Sequence, residues 1–336
     1  MTHELKKIVQ AYILAKHAKL KTVMATVVAL DGSSYRRPGV RMLIHENGIT
    51  IGAVSGGCVE KEVIHQAQSV FKDGVPKVMT YDGRYRLGCE GILYVLIEPF
   101  EPNDIFLNAF HKLLEQRIPI KIEAYFAMQD ISNTSFGSVF TLGTTKYLIR
   151  DAFDLDKSLK VFGQELAPCF KLLIIGAEHD AVQLCSFASM TGWEVTIVSS
   201  PTEEKTISDF PGALNLKGIE PDEMDISMID QQTAVVLMTH SYVKDLKFLL
   251  RLVGTGPAYL GILGPVKRRE KLLGELIERQ PELNDTFLDG IYGPAGLNIG
   301  AETPQEIAIA ILSEILAVVR DQDPIMLRNK TNSIHS

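Results

Sequence analysis

The pattern of apolar and polar positions predicts a chain with two different halves. In the first half, apolar residues recur at helical spacing from Leu5 to Ile13, and a β-branched, apolar run follows from Thr22 to Leu30. Asn47-Gly48 stands between two further apolar runs, which predicts a β-hairpin. The same criteria predict helices at 58–71 and 105–116 and strands at 75–81, 92–97, 120–127 and 139–149. The first half is therefore predicted to be a mixed α/β domain.

The second half alternates strands with helices, which predicts parallel βαβ units. Its last helix has the clearest start, because Thr303 can cap it, Pro304 fits the first helical position and Glu306 completes a capping box. Predicted strands lie at 171–175, 194–198, 234–238 and 258–262, and predicted helices at 180–190, 243–252 and 266–279. The fold class is thus α/β, with a mixed α/β domain over 1–150, a linker over 151–168 and a Rossmann-like domain with a mainly parallel sheet over 169–325.

Composition narrows the class of protein. The 336 residues carry a net charge of −7, which argues against a general nucleic-acid binder. No apolar run reaches the ~18–20 residues of a membrane span, and lysines among the first apolar residues argue against a secretory signal. The four cysteines are too few for a disulfide scaffold in a chain of this length. None of them stands in a C-x-x-C pair, which argues against a structural zinc site. We expect a cytoplasmic protein with no metal site that binds neither nucleic acid nor membrane.

The first candidate site is the turn Ser55-Gly56-Gly57, after which Cys58 opens a predicted helix with Glu60 in its first turn. Two glycines before a helix leave N–H groups free to bind an anion, and the helix dipole favours a thiolate at this position. In the alternative interpretation, the turn is an ordinary tight connection and the cysteine is a small buried residue.

A second Gly-Cys loop holds Cys89, and a turn-rich loop holds Arg36 and Arg37, with Arg41 just beyond it. If these residues converge with Cys58, soft sulfur could serve a metal or a sulfur-transfer step, and the guanidinium groups could hold a phosphate. Spacing alone leaves their convergence open.

The first βα turn of the second half, 176–181, is a damaged dinucleotide fingerprint. Gly176 and Ala181 fit its first and third positions, but Glu178 occupies the second, where a glycine lets the backbone approach a pyrophosphate. The next strand ends in Ser199-Ser200 and not in the acidic residue that binds a ribose. We therefore predict a Rossmann-like fold that does not bind NAD(P) in the usual mode.

Three further features follow predicted strands in the second half. His179 and His240 could face one another across the carboxyl edge of the sheet, or be ordinary polar caps. Arg268 and Arg269 open a helix and could hold a phosphate, or form a solvated face. The glycine-rich loop 292–302 is long enough to favour a binding loop over simple packing.

Eight motifs, taken in order, resemble the XdhC/CoxI family of xanthine dehydrogenase accessory proteins. GSSYRRPGVRM (32–42), SGGCVE (55–60) and LGCEG (87–91) with IEP (97–99) resemble its N-terminal domain; GAEHDA (176–181), MTH (238–240), GILGPVKRR (261–269) and GPAGLNIGAE (293–302) resemble its C-terminal Rossmann domain. The set spans nearly the whole chain.

The resemblance implies an accessory protein and not a stand-alone enzyme. Such a protein binds the molybdenum cofactor (molybdopterin) transiently and protects it while a cysteine desulfurase helps to introduce the terminal sulfido ligand. It then delivers the cofactor to a molybdenum hydroxylase apoenzyme, and we expect a homodimer. By analogy Cys58 and Cys89, the candidate catalytic residues, lie near the cofactor, in a cleft between the domains. The residues assigned to cofactor binding are Arg36, Arg37, Arg41, Ser55, Gly56, Gly57, Glu60, Gly176, His179, Asp180, His240, Arg268, Arg269 and Glu302.

Three positions depart from the family pattern, namely Glu178, Ser199 and Glu90, and two of these bring negative charge to proposed anion sites. They are consistent with a divergent paralogue that has a changed ligand, or with one that has lost binding. Two other classes stay open: an NAD(P)-dependent oxidoreductase, and a non-catalytic interaction protein with a degenerate nucleotide site.

Overall fold

A computed structural model describes residues 1–32, 37–85, 91–150, 156 and 158–331. The chain forms two compact units, Met1–Pro168 (unit 1) and Cys169–Ser336 (unit 2). Arg36, Cys89 and Glu90, which the sequence singled out, lie outside the described residues.

Unit 1 contains two sheets and three helices among its described residues. One sheet has six strands in the order β3-β2-β1-β5-β4-β7, and the other has four in the order β10-β6-β8-β9. The helices are α1 (Thr2–His17), α2 (Cys58–Asp73) and α3 (Asp104–Glu115); the strands are β1 (Thr22–Asp31), β2 (Arg41–His45), β3 (Thr50–Gly52), β4 (Lys77–Asp82), β5 (Ile92–Pro99), β6 (Ile120–Phe126), β7 (Ile131–Ser132), β8 (Gly137–Leu142), β9 (Thr145–Leu148) and β10 (Lys160–Leu166).

Strand β1 is central to unit 1 because both of its faces are buried. Side chains alternate along a strand, so Val23 and Ala25 pack on one side with Val63 of α2. Met24 packs on the other side, in a cluster that contains Phe106 of α3. A strand covered on both faces must be apolar throughout, which is why the continuous run 22–30 predicted it correctly.

The sequence pattern was wrong at two places in unit 1. The single strand predicted at 139–149 is a hairpin of β8 and β9, because the chain turns at Gly143, whose φ is +63°. Residues 160–166, predicted as part of a linker, form β10 and pair antiparallel with β6. Exposed residues alternate with half-buried ones along most of this edge strand, so the strand has no continuous apolar run and resembles a linker.

Unit 2 confirms the predicted Rossmann-like fold. Its six strands are parallel and run in the order β13-β12-β11-β14-β15-β16. The strands are β11 (Lys171–Ile175), β12 (Glu194–Ser199), β13 (Ala213–Gly218), β14 (Thr233–Leu237), β15 (Tyr259–Ile262) and β16 (Ile291–Tyr292); the helices are α4 (His179–Met190), α5 (Tyr242–Leu252), α6 (Val266–Arg279), α7 (Asp285–Asp289) and α8 (Pro304–Val319). Strand order reverses between β11 and β14, which is where open α/β sheets bind ligands.

The predicted start of the last helix is confirmed. The Thr303 hydroxyl accepts a hydrogen bond from the N–H of Glu306, and the Glu306 carboxylate accepts one from the N–H of Thr303. None of the described helices is long and apolar enough to cross a membrane.

Candidate functional site

The turn before α2 is open to solvent. Gly56, Gly57 and Cys58 are exposed, and a Cβ added to either glycine would meet no atom within 4 Å. Among the described residues, none accepts a hydrogen bond from the N–H groups of these three residues. The alternative of a buried cysteine is therefore wrong for Cys58. The first residue of a 16-residue helix instead presents a thiol beside free N–H groups, at the end where the dipole favours negative charge.

The carboxylate of Glu60 holds the backbone of this turn by hydrogen bonds. Its Oε1 accepts hydrogen bonds from the N–H of Ser55 at 2.8 Å and of Val54 at 3.2 Å. The Ser55 N–H, which the sequence assigned to anion binding, is thus already engaged. The other carboxylate oxygen, Oε2, is buried with no partner among the described residues. Glu60 therefore holds the two ends of the turn together and leaves the glycines free.

Arg41 lies away from this turn. It pairs with Thr26 across β1 and β2, on the face of the sheet opposite to α2, since the next residue, Met42, packs with α2. Its Nη1 donates to the Gly39 carbonyl at 2.8 Å and to Gln164 Oε1 at 2.7 Å, which ties β2 to β10. Burial lowers the pKa of Arg41 to about 10 although the charge of Glu98 opposes this change. The geometry gives Arg41 a structural position, whereas Arg37 is exposed.

Gly176, in the first βα turn of unit 2, is required by packing. Its φ is +138°, and an added Cβ would lie 2.3 Å from the Met238 carbonyl oxygen at the end of β14. Glu178 occupies the N-cap position of α4, but its exposed side chain makes no capping hydrogen bond. Gly176, at the first fingerprint position, thus lets β11 and β14 approach closely. Strand packing alone accounts for this glycine, without a bound nucleotide.

The space that a dinucleotide would use is nearly closed. Between the 176–178 turn and the end of β12 the free volume is about 10 Å³, no more than one water molecule needs. Across it, Lys244 Nζ lies 3.8 Å from Glu203 Oε1. That the protein does not bind NAD(P) in the usual mode stays a prediction.

His240 lies at the strand-order reversal and contacts the start of α4. Its Nε2 is 3.4 Å from Asp180 Oδ2. The backbone of His240 has a φ of +56°, a left-handed conformation that non-glycine residues adopt infrequently. The structure therefore brings His240 to Asp180, and His179 is exposed beside them.

Asp245 is a functional candidate that the sequence patterns did not reveal. It is fully buried, and its Oδ1 accepts hydrogen bonds from the hydroxyl of Thr239 at 2.6 Å and from its N–H at 3.2 Å. Its Oδ2 forms an ion pair with Arg268 Nη2 at 2.6 Å. In the sequence Asp245 resembles an ordinary acidic residue in the first turn of a helix, so only the fold shows its burial.

The two neighbouring arginines of α6 diverge. Arg268 turns toward Asp245, whereas Arg269 packs against Gly293 and its Nη2 lies 3.5 Å from the Ile291 carbonyl. Glu302 is exposed, and its N–H donates to Glu306 Oε2 at 2.9 Å. The cofactor-binding set predicted for unit 2 therefore separates into a cluster of Asp180, His240 and Arg268 near the strand-order reversal and more distant structural positions.

The chain combines a Rossmann-like unit with a unit that presents an open Gly-Gly-Cys turn, and each unit matches a family model. Residues 172–315 match the family model described as the XdhC Rossmann domain, and residues 15–82 match that of the XdhC and CoxI family. These ranges together cover more than half of the chain, which belongs to the XdhC and CoxI family.

The similarity to known proteins extends over most of the chain. It is 29% identical over 316 residues to a probable xanthine dehydrogenase subunit of Bacillus subtilis (strain 168), covering 88% of this chain and 92% of the relative. It is 25% identical over 306 residues to the molybdenum cofactor insertion chaperone PaoD of Escherichia coli (strain K12), covering 90% and 84%. A crystal structure of a xanthine dehydrogenase from Bacillus halodurans is similar with a TM-score of 0.78 and 25% identity, covering 94% of this chain and 96% of that one.

Proposed function

We propose that this protein is an accessory factor that binds the molybdenum cofactor and delivers it to a molybdenum hydroxylase apoenzyme such as a xanthine dehydrogenase. Membership of the XdhC and CoxI family and similarity to a protein named as a molybdenum cofactor insertion chaperone support this role. The observation that carries the proposal is the exposed Cys58 thiol on the open two-glycine turn at the start of α2.

The turn has the chemistry that such a cargo needs. A thiolate is a soft ligand that can contact molybdenum, and the free N–H groups of Gly56 and Gly57 can donate to the anionic groups of the cofactor. Because neither glycine has a side chain, the cofactor can approach the backbone closely. Glu60 would act as a positioning residue that keeps these N–H groups directed outward.

The finer parts of the role belong to the same proposal. Cys58 would hold the cofactor while a cysteine desulfurase supplies sulfur for the terminal sulfido ligand, and the hydroxylase would then receive it. Cys89, Arg36 and Arg37 are further candidates for contact with the cofactor, and we expect a cytoplasmic homodimer.

Cofactor content tests the proposal. The full chain is purified anaerobically from a host that makes the cofactor, and its molybdenum and oxidised-pterin contents are measured for the wild type and for Cys58→Ala. We expect near-stoichiometric pterin in the wild type and roughly tenfold less in the variant, because a charge-assisted contact is typically worth that factor or more.

The matched control is Cys185→Ala, which removes a thiol buried in unit 2. It should retain the wild-type pterin content, and its folding can be checked by circular dichroism. Equal pterin content in all three proteins would contradict a role for Cys58, and no pterin in any of them would contradict cofactor binding.

A further inference from the structure

Unit 2 contains a cavity of its own. It lies beside the carboxyl ends of β14 and β15, at the start of α6, and has a volume of about 170 Å³. A single water needs only about 10–15 Å³ by such a measure, so the space can hold a ligand of several atoms. The cavity is lined by Met238, His240, Leu263, Gly264, Pro265 and Arg268.

Arg268 is fixed at the wall of this cavity. The buried carboxylate of Asp245 holds its Nη2 at 2.6 Å, and Thr239 in turn holds Asp245 through two hydrogen bonds. A guanidinium whose position is already fixed suits the geometry of a phosphate.

The first turn of α6, at the mouth of the cavity, is basic. The first turn of α6 holds Lys267, Arg268 and Arg269 and no acidic residue, and Pro265 gives no side-chain cap. Cations at the positive end of a helix dipole are unfavourable unless an anion compensates them. Helix α4 has the opposite arrangement, because Glu178 and Asp180 stand where a Rossmann fold usually holds a pyrophosphate.

His240 gives the cavity a second polar group. Its left-handed backbone directs this residue into the lining at the strand-order reversal, and non-glycine residues in that conformation cluster at ligand sites. Its Nε2 lies 3.4 Å from Asp180 Oδ2 at the start of α4. Leu263, Pro265 and Met238 provide apolar walls on the remaining sides.

We propose that this cavity binds a phosphate monoester. Arg268 and the start of α6 hold the phosphate group, His240 donates to it, and the apolar walls contact the organic part. The anion site of unit 2 has thus moved from α4, where a dinucleotide fold has it, to α6. The proposal does not depend on Cys58.

Isothermal titration calorimetry of the full chain tests the proposal, with ribose 5-phosphate and inorganic phosphate as probes. We expect the wild type to bind ribose 5-phosphate more tightly than inorganic phosphate. Arg268→Gln should weaken ribose 5-phosphate binding by about tenfold or more, since a charge-assisted hydrogen bond is lost. Lys267→Gln is the matched control: it removes the same charge from the exposed neighbouring position, and we expect a change of less than about threefold.

Removing Arg268 alone leaves Asp245 buried without its cation, which can unfold the unit. The double variant Asp245→Asn, Arg268→Gln avoids this problem and should fold but not bind. Wild-type affinity in the folded double variant would overturn the proposal, as would equal losses in Arg268→Gln and Lys267→Gln. Equal affinity for the two probes would overturn the recognition of a monoester.

Discussion

The glycine turns before α2 and α4 are built for different purposes. Before α2, Gly56 and Gly57 are exposed and have free space where a Cβ would stand. Before α4, Gly176 has a φ of +138°, and its missing Cβ makes room for the Met238 carbonyl oxygen. The first pair of glycines keeps the backbone accessible to a ligand, whereas the second glycine lets two strands pack.

The acidic residues near the two turns differ in the same way. Glu60 folds back and accepts hydrogen bonds from the Ser55 and Val54 N–H groups, so its charge supports the turn. Glu178 makes no cap hydrogen bond and stays exposed at the start of α4. A glycine-rich turn before a helix is therefore an anion site only where the backbone around it remains uncovered.

The largest expected effect is the difference in stability loss when a glycine of each turn is replaced by alanine. Gly176→Ala should destabilise the protein by about 4 kcal/mol or more, because its Cβ would lie 2.3 Å from a backbone oxygen and its φ is unsuited to alanine. Urea unfolding followed by circular dichroism measures this change.

Gly56→Ala is the matched control, and we expect a change below about 1 kcal/mol because its Cβ meets no neighbour. The same variant should lower pterin content if the cofactor approaches the backbone there. Similar stability losses in both variants would contradict the comparison.

The units also differ in how they bury a carboxylate. In unit 2, Arg268 Nη2 pairs with Asp245 at 2.6 Å. In unit 1, Glu98 is fully buried and accepts hydrogen bonds from the Ser138 hydroxyl at 2.6 Å and N–H at 2.9 Å. Burial is the largest influence on Glu98 and raises its pKa from 4.5 to about 7, against the opposing effects of Ser138, Arg150 and Arg41. Glu98 should therefore make unit 1 sensitive to pH.

The second prediction is that Glu98→Gln removes this sensitivity. Because the folded pKa is raised, the stabilising contribution is full below pH 4.5 and is lost as the pH rises through about 7. The loss corresponds to at most about 3 kcal/mol. The variant should match the wild type near pH 4.5 and be more stable at pH 8, as measured by urea unfolding at both pH values.

Glu165→Gln makes the same chemical change at an exposed position of β10 and should leave the pH dependence unchanged. If Glu98→Gln shows the wild-type pH dependence, Glu98 is already ionised in the folded protein and does not make unit 1 sensitive to pH.

The smallest expected effect is a null result with a nicotinamide nucleotide. Titration of the protein with NADH should not change the nucleotide fluorescence, because about 10 Å³ is free beside Gly176 and the Glu203–Lys244 pair crosses that space. A saturable increase in fluorescence would contradict the closed state of the second turn and favour the oxidoreductase alternative.

Much of the fold could be predicted from the sequence, because apolar patterns directly reflect burial. The run 22–30, the alternation of strands and helices after 170 and the Thr303 capping box are all confirmed. Strand β10 was missed because an edge strand with polar, half-buried positions has no apolar pattern to show.

The site was less predictable, because it depends on side-chain direction and tertiary contact. Arg41 lies within a motif that carries the resemblance, yet strand alternation turns it away from α2. Asp245 is not distinguished by any sequence pattern, since its burial depends on Thr239 and Arg268 from other parts of the chain. The sequence patterns therefore identified the turn before Cys58 but not which other side chains lie beside it.

The most direct test of the central claim is delivery of the cofactor. Purified cofactor-loaded protein is mixed with a molybdenum hydroxylase apoenzyme, and the recovered hydroxylase activity is compared with that obtained from the same amount of free cofactor. We predict more activity from the loaded wild type than from free cofactor, and no such advantage when Cys58→Ala is supplied with the same cofactor. Equal activity from free cofactor and loaded wild type would contradict a role in delivery.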